Sequence, residues 1–193
     1  GTHRYEKTLS TRGVGTGVMI EAPILSYLIE TRNGRILYDV GCDYSKVHDP
    51  QLRAQWYDNP AFAFGPPDIT AEQRLPSRLA QLGLDVRDVD CVVCGHLHFD
   101  HAGGLSEMAH AEVHVHQREL VAMCEPADEA YFQDDFTHDV RWCVHCSDYG
   151  LASGVQVIET PGHTAGHMSM LIELPKGKPV LLCGDAADLQ ENL

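Results

Sequence analysis

Apolar and polar positions fall along the chain in short runs that predict strands with interspersed helices. "ILSYLIE" and "RILYDVG" are apolar and partly β-branched on either side of "TRNG". Asn33-Gly34 is a strong two-residue turn signal, so residues 24–40 read as a hairpin. Residues 41–69, rich in Pro, Asp, Gly and aromatics without clean periodicity, read as a long excursion. Thr70 and Gln73 match a capping box, and Leu75, Leu79 and Leu82 make an apolar stripe closed by Gly83. A short amphipathic helix is expected there, although Pro76 disfavours helix at the residue before it. "DCVVCGH" then reads as a strand, "AEVHVH" as another and "QRELVAM" as a helix. After an irregular acidic and aromatic segment from Cys124 to about Gly150 come strands at "VQVIET", "MSMLIEL" and "PVLLCGD", the last two flanking the turn "PKGK". With no internal repeat or low-complexity tract, one layered domain over residues 1–193 is expected.

Composition narrows the partners. A chain of 193 residues, 44% hydrophobic, is long enough to bury a sizeable core. Its formal net charge of −14 would repel a phosphate backbone, so nucleic acid is not expected as a partner. No apolar run approaches the roughly 20 residues of a membrane span, and "GTHRYEKTLS" has no signal-peptide core. The seven cysteines are odd in number and scattered, which fits a reducing compartment, and a cytoplasmic location is expected. A homodimer is left open. Cys91 and Cys94 ("CVVC") and Cys143 and Cys146 ("CVHC") invite a four-cysteine zinc site. Each pair lies in a strand-like run, where i and i+3 point to opposite faces, so small buried hydrophobes are the preferred reading.

Chemistry concentrates in "CGHLHFDHAGG", Cys94 to Gly104. His96 and His98 are separated by one residue, so in extended backbone both imidazoles leave the same side and can share a metal ion. Asp100 and His101 lie past the bend and can serve a second. The two glycines are expected to let the backbone turn tightly. "TPGHTAGH" carries His163 and His167 directly after a strand, and "LLCGDA" ends a later strand on Asp185, a carboxylate placed to bridge two cations. Three strand ends thus converge on one site. A water held by such ions ionises near about pH 7.

These residues resemble the metallo-β-lactamase superfamily, whose pattern HxHxDH, then PGHxxGH, then Gly-Asp at a strand end is matched at His96 to His101, Pro161 to His167 and Gly184-Asp185. "YDVG", Tyr38 to Gly41, is similar to its early Asp-x-Gly element. The resemblance implies an α+β fold, a four-layer αββα sandwich with the metal site at one edge of its two sheets. It implies His96, His98 and His163 around a first metal, Asp100 and His101 around a second, and Asp185 bridging. Asp39 and His167 would support the ligands through hydrogen bonds. Two Zn2+ are implied, with iron or manganese left open. A further histidine beyond Leu193 and a strand before Gly1 belong to the pattern, so the fold is expected to be incomplete at both ends.

"HLHFDHAGG" and "TPGHTAGHMSMLIEL" most resemble the N-acyl homoserine lactonase branch. That implies a small-molecule substrate, a lactone opened by a metal-bound hydroxide, with Asp100 and Asp185 in the catalytic machinery. The branch usually has tyrosine three residues after the bridging aspartate, where this chain has Asp188, a carboxylate that donates no hydrogen bond unless protonated. Tyr131, Phe132 and Trp142 are candidates for lining an acyl-chain or ring pocket, with packing of a satellite core as the alternative. His114 and His116 share one strand face, where a solvated or core-edge role is preferred to ligation. Two other functions remain open: a thioesterase of the hydroxyacylglutathione hydrolase type, and a metal-binding or redox module without hydrolysis.

Overall fold

Leu37 and Tyr38 are adjacent on one strand, so their side chains leave it in opposite directions, yet both are buried, with 2% and 0% of their surface exposed. A strand buried on both faces needs a layer on each side. The computed structural model describes residues 1–60, 62, 64–124 and 128–192, and it supplies both layers.

β1 (Thr2–Glu6) and β2 (Met19–Pro23) form a two-stranded antiparallel sheet connected through α1 (Thr8–Thr11). β3 (Tyr27–Thr31) and β4 (Gly34–Tyr38) make the expected hairpin. α2 (Tyr44–His48), α3 (Pro50–Trp56) and α4 (Leu75–Gln81) precede β5 (Cys91–Val93). α5 (Phe99–Ala102), β6 (Glu112–His116), α6 (Gln117–Ala122), β7 (Arg141–His145), β8 (Tyr149–Ala152), β9 (Val155–Glu159), β10 (Met168–Ile172) and β11 (Val180–Leu182) follow. One sheet has five strands in the order β3-β4-β5-β6-β7, with β4 to β7 parallel; the other has four, β11-β10-β9-β8, all antiparallel.

The two sheets pack face to face as an α+β sandwich. Ile36, Tyr38 and Val93 meet Val157, Met168 and Met170 between them, and the Tyr38 hydroxyl donates to the Met168 carbonyl at 2.7 Å. On the other side of the five-stranded sheet, Leu37, Val92 and Val113 pack with Leu79 of α4 and with Leu105 and Met108. The outward residues of the four-stranded sheet include Leu181, 51% exposed. Among the described residues, no helix is long and apolar enough to cross a membrane.

Several segments differ from the hydrophobic pattern. The excursion at 41–69 contains α2 and α3, whose starts are capped by side chains: Asp43 accepts from the Ser45 N–H, and Asp49 from those of Gln51 and Leu52. The expected helix over 70–82 is divided. Gln73 closes back on the Thr70 N–H around a 3₁₀ turn at Ala71–Gln73, and α4 restarts at Leu75 because Pro76 has no N–H and is tolerated only in a first turn. The segment expected to be irregular holds β7, an edge strand whose pairing with β6 comes from 25 or more residues away in sequence rather than from its own apolar alternation.

Candidate metal centre

Parallel strands deliver their C-terminal ends to one edge of a sheet, and the chemistry of such folds gathers there. Asp39 directly follows β4, β5 leads into the loop carrying His96 and His98, and α5 carries Asp100 and His101. From the facing sheet, the loop after β9 brings His163 and His167, and the 3₁₀ turn after β11 brings Asp185. His98 Nδ1 lies 3.1 Å from His163 Nε2. Asp185 reaches two ways: Oδ2 is 3.4 Å from His163 Nε2 and 3.9 Å from His96 Nε2, while Oδ1 is 3.3 Å from His101 Nε2. Asp100 Oδ2 stands 3.7 Å from the same His101 nitrogen. Two triads, His96/His98/His163 and His96/His101/Asp185, hold donor atoms within 4.8 Å of one another.

These residues fit divalent cations. Both ring nitrogens of His96 are buried without a hydrogen-bond partner, a costly state that a bound cation relieves. Burial, reinforced by the neighbouring histidines, holds His96 well below the usual histidine pKa, so its ring is neutral and its lone pair free. Burial would raise the Asp185 carboxyl, but His101 and His163 hold it below the ordinary carboxylate range. Nitrogen and carboxylate oxygen donors suit zinc, iron or manganese.

Side chains around the triads fix their rings. Asp39 has φ 60°, the left-handed region, and from it Oδ1 accepts from the Gly95 N–H at 2.7 Å while Oδ2 faces His101 Nδ1 at 2.8 Å. His167 is engaged at both nitrogens: Nδ1 meets Thr160 Oγ1 at 2.8 Å, and Nε2 accepts from the Asp185 N–H at 3.1 Å. Gly103 and Gly104 do not supply the tight turn expected of them, since neither has positive φ. They allow close approach instead: a Cβ on Gly103 would stand 2.6 Å from the Asp43 nitrogen and 3.0 Å from Cys42 Cα, and one on Gly104 would meet the Val40 carbonyl oxygen.

Two participants were missed. Asp128 Oδ2 lies 3.2 Å from His98 Nε2 and orients that ring from a loop where acidic residues look like ordinary surface. Glu119, fully buried on α6, accepts from the Leu97 N–H and the Gly166 N–H, tying the two histidine-bearing loops together. Its place directly before the apolar Leu120, Val121 and Ala122 was the available signal.

A cavity of about 570 Å³ opens over the triads, lined by Asp188, Tyr5, Tyr27, Phe64, Leu181 and the metal-site residues among others. Asp188 Oδ2 accepts from Ser10 Oγ at 2.5 Å. The three aromatic candidates do not line it. Trp142 sits across from Val113 in register and packs on the helical side of the five-stranded sheet. Phe132 is buried among Trp56, Tyr57, Phe62 and Phe99. Tyr131 stacks edge-on against His98, its hydroxyl donating to Glu119 at 3.1 Å. Trp142 and Phe132 face apolar layers rather than the sheet edge, whereas Tyr131 reaches the site as a neighbour of His98 and not as cavity wall.

Sheets in face-to-face contact, with a histidine and carboxylate centre at their common edge, define the class: the chain belongs to the metallo-β-lactamase superfamily, whose sequence profile matches residues 20–188. It is similar to an N-acyl homoserine lactonase of a Bacillus species, 35% identical over 178 residues, covering 91% of this chain and 68% of that enzyme. It is also similar to the N-acyl homoserine lactonase AttM of Rhizobium radiobacter, 31% identical over 184 residues, covering 90% and 68%. A solved N-acyl homoserine lactone hydrolase with the product N-hexanoyl-L-homoserine at its catalytic metal centre superposes with a TM-score of 0.88 at 30% identity, over 100% of this chain and 75% of that one.

Proposed function

We propose that this chain is a metal-dependent hydrolase that opens the ring of a neutral lactone, of the N-acyl homoserine lactone class or close to it. The observation that carries the reading is the two-way reach of Asp185, one oxygen towards His163 and the other towards His101, beneath an open cavity. His96, His98 and His163 would hold one Zn2+, Asp100 and His101 a second, with Asp185 between them; iron or manganese suits the same donors. Bound there, the ions would acidify a water molecule and polarise the ester carbonyl. Asp39 and Asp128 keep His101 and His98 in the required tautomer and orientation, and His167 holds the Asp185 backbone.

The cavity wall selects for charge. Beyond the carboxylates proposed to hold the ions, Asp128 and Asp188 line it, and no lysine or arginine does among the described residues. A glutathione thioester, with two carboxylates, would be repelled there, whereas a lactone is uncharged.

The test is hydrolysis of N-hexanoyl homoserine lactone by Zn2+-loaded protein, by chelator-treated protein and by Asp185→Asn. Turnover that needs metal and falls at least about a hundredfold in Asp185→Asn supports the reading. Turnover of a glutathione thioester in preference to the lactone would replace it with a thioesterase.

A further inference from the structure

A second cluster of metal-ligating side chains stands apart from the centre described above, between the edge strands of the two sheets. Cys143 and His145 are two apart on β7 and so share a face, and His114 lies directly across from Cys143 in the parallel register with β6. That face is turned towards β8. The rings of His114 and His145 stack at 5.1 Å, and Tyr149 of β8 stacks on His145 at 3.4 Å. The donor atoms converge: His114 Nδ1 is 3.0 Å from His145 Nε2, that nitrogen is 3.5 Å from Cys143 Sγ, and all three lie within 4.8 Å of one another.

We propose that His114, Cys143 and His145 form a second, independent zinc site that clamps edge strand β7 to β6. A tetrahedral zinc with nitrogen at about 2.0 Å and sulfur at about 2.3 Å separates two nitrogens by about 3.3 Å and nitrogen from sulfur by about 3.5 Å. The observed 3.0 and 3.5 Å are close to those separations. One soft thiolate with two imidazoles is a donor set that zinc favours. Binding forms one Zn–S and two Zn–N bonds and releases the thiol proton to solvent, with no change of oxidation state. Three protein ligands leave the fourth position to water. The site differs in kind from the histidine and carboxylate centre, which has no thiol donor. It also revises the preferred reading of "CVHC": Cys143 is paired with histidines brought in by the sheet rather than with a second cysteine pair, and Cys146 turns away to donate to Gln117 at 3.0 Å.

Cobalt distinguishes the two centres, because a thiolate bound to Co2+ adds a near-ultraviolet charge-transfer absorption that nitrogen and oxygen ligands do not. Metal-free full chain would be titrated with Co2+ alongside Cys143→Ser and His145→Gln, with bound zinc counted in parallel. The expected result is a thiolate absorption in the parent that is lost in Cys143→Ser and weakened in His145→Gln, each variant holding one zinc fewer while lactone hydrolysis is unchanged. A parent with no such absorption, or an absorption that survives in Cys143→Ser, would overturn the proposal. Circular dichroism of the metal-free variants separates loss of metal from loss of fold.

Discussion

The carboxyl group of Glu119 accepts the Gly166 N–H at 2.9 Å, across 47 residues of sequence, and its other oxygen takes the Leu97 N–H at 3.0 Å. One buried side chain therefore sets the spacing between the loop of His96 and His98 and the loop of His163 and His167. Glu119→Ala would leave the buried Leu97 and Gly166 N–H groups unpaired. At about 1–3 kcal/mol for each unsatisfied group, a loss of several kcal/mol is expected in urea unfolding, together with weaker metal retention. Glu119→Gln keeps the volume but turns an amide NH₂ towards an N–H donor, and is expected to fall between. If Glu119→Ala kept the parent midpoint and metal content, the carboxyl group would not be the tie between the loops.

Asp39 is held at φ 60° to face His101 Nδ1. Asparagine tolerates that backbone, so Asp39→Asn tests the carboxylate alone. Metal affinity or kcat/KM should drop about 10–100-fold with little change in thermal stability of the metal-free protein. Competition with a chromophoric chelator measures the first quantity directly.

Lys46 and Asp135 form an ion pair with only 3% of each side chain exposed. Burial pushes the Asp135 carboxyl up to about 7, against the pull of Lys46. An unfolded aspartate titrates near about 3.9. Between those values the folded chain holds a proton that the unfolded chain has released, so the stabilisation from this group is full below about pH 4 and is lost as pH rises through about 7. The unfolding free energy of Asp135→Asn should therefore fall less than the parent's over that interval, and parallel curves would contradict the assignment. Lys46→Met removes the pull that lowers the Asp135 carboxyl, so the pH interval over which stability is lost should extend further up in that variant.

Asp188 stands on the cavity wall with Ser10 donating to it, its pKa raised by burial against the pull of that hydrogen bond. Removing its charge in Asp188→Asn should tighten binding of the carboxylate product about 2–5-fold, a partly solvated charge interaction of up to about 1 kcal/mol. Product-inhibition constants at two salt concentrations check it: the difference between variant and parent should shrink at high salt.

Local signals were legible wherever the interaction is short in sequence. Asn33-Gly34 announces its hairpin, and the strands at "AEVHVH" and "VQVIET" and the helix at "QRELVAM" stand where their patterns place them. The caps at Asp43 and Asp49 were equally local, but without an apolar stripe behind them α2 and α3 did not register as helices. β1, β2 and β7 pair with distant partners, and their own residues do not alternate cleanly.

The sequence by itself determined the donor types: which histidines and aspartates cluster, and that three strand ends carry them, because short spacings after apolar strand runs are readable locally. Only the tertiary structure decided which groups orient those donors and which line the cavity. Asp128 meets His98, Glu119 joins Leu97 to Gly166, and Cys143 meets His114 across separations of 22 to 47 residues. Trp142 and Phe132 were drawn into apolar layers instead. Those contacts depend on how two sheets pack, which no local pattern encodes.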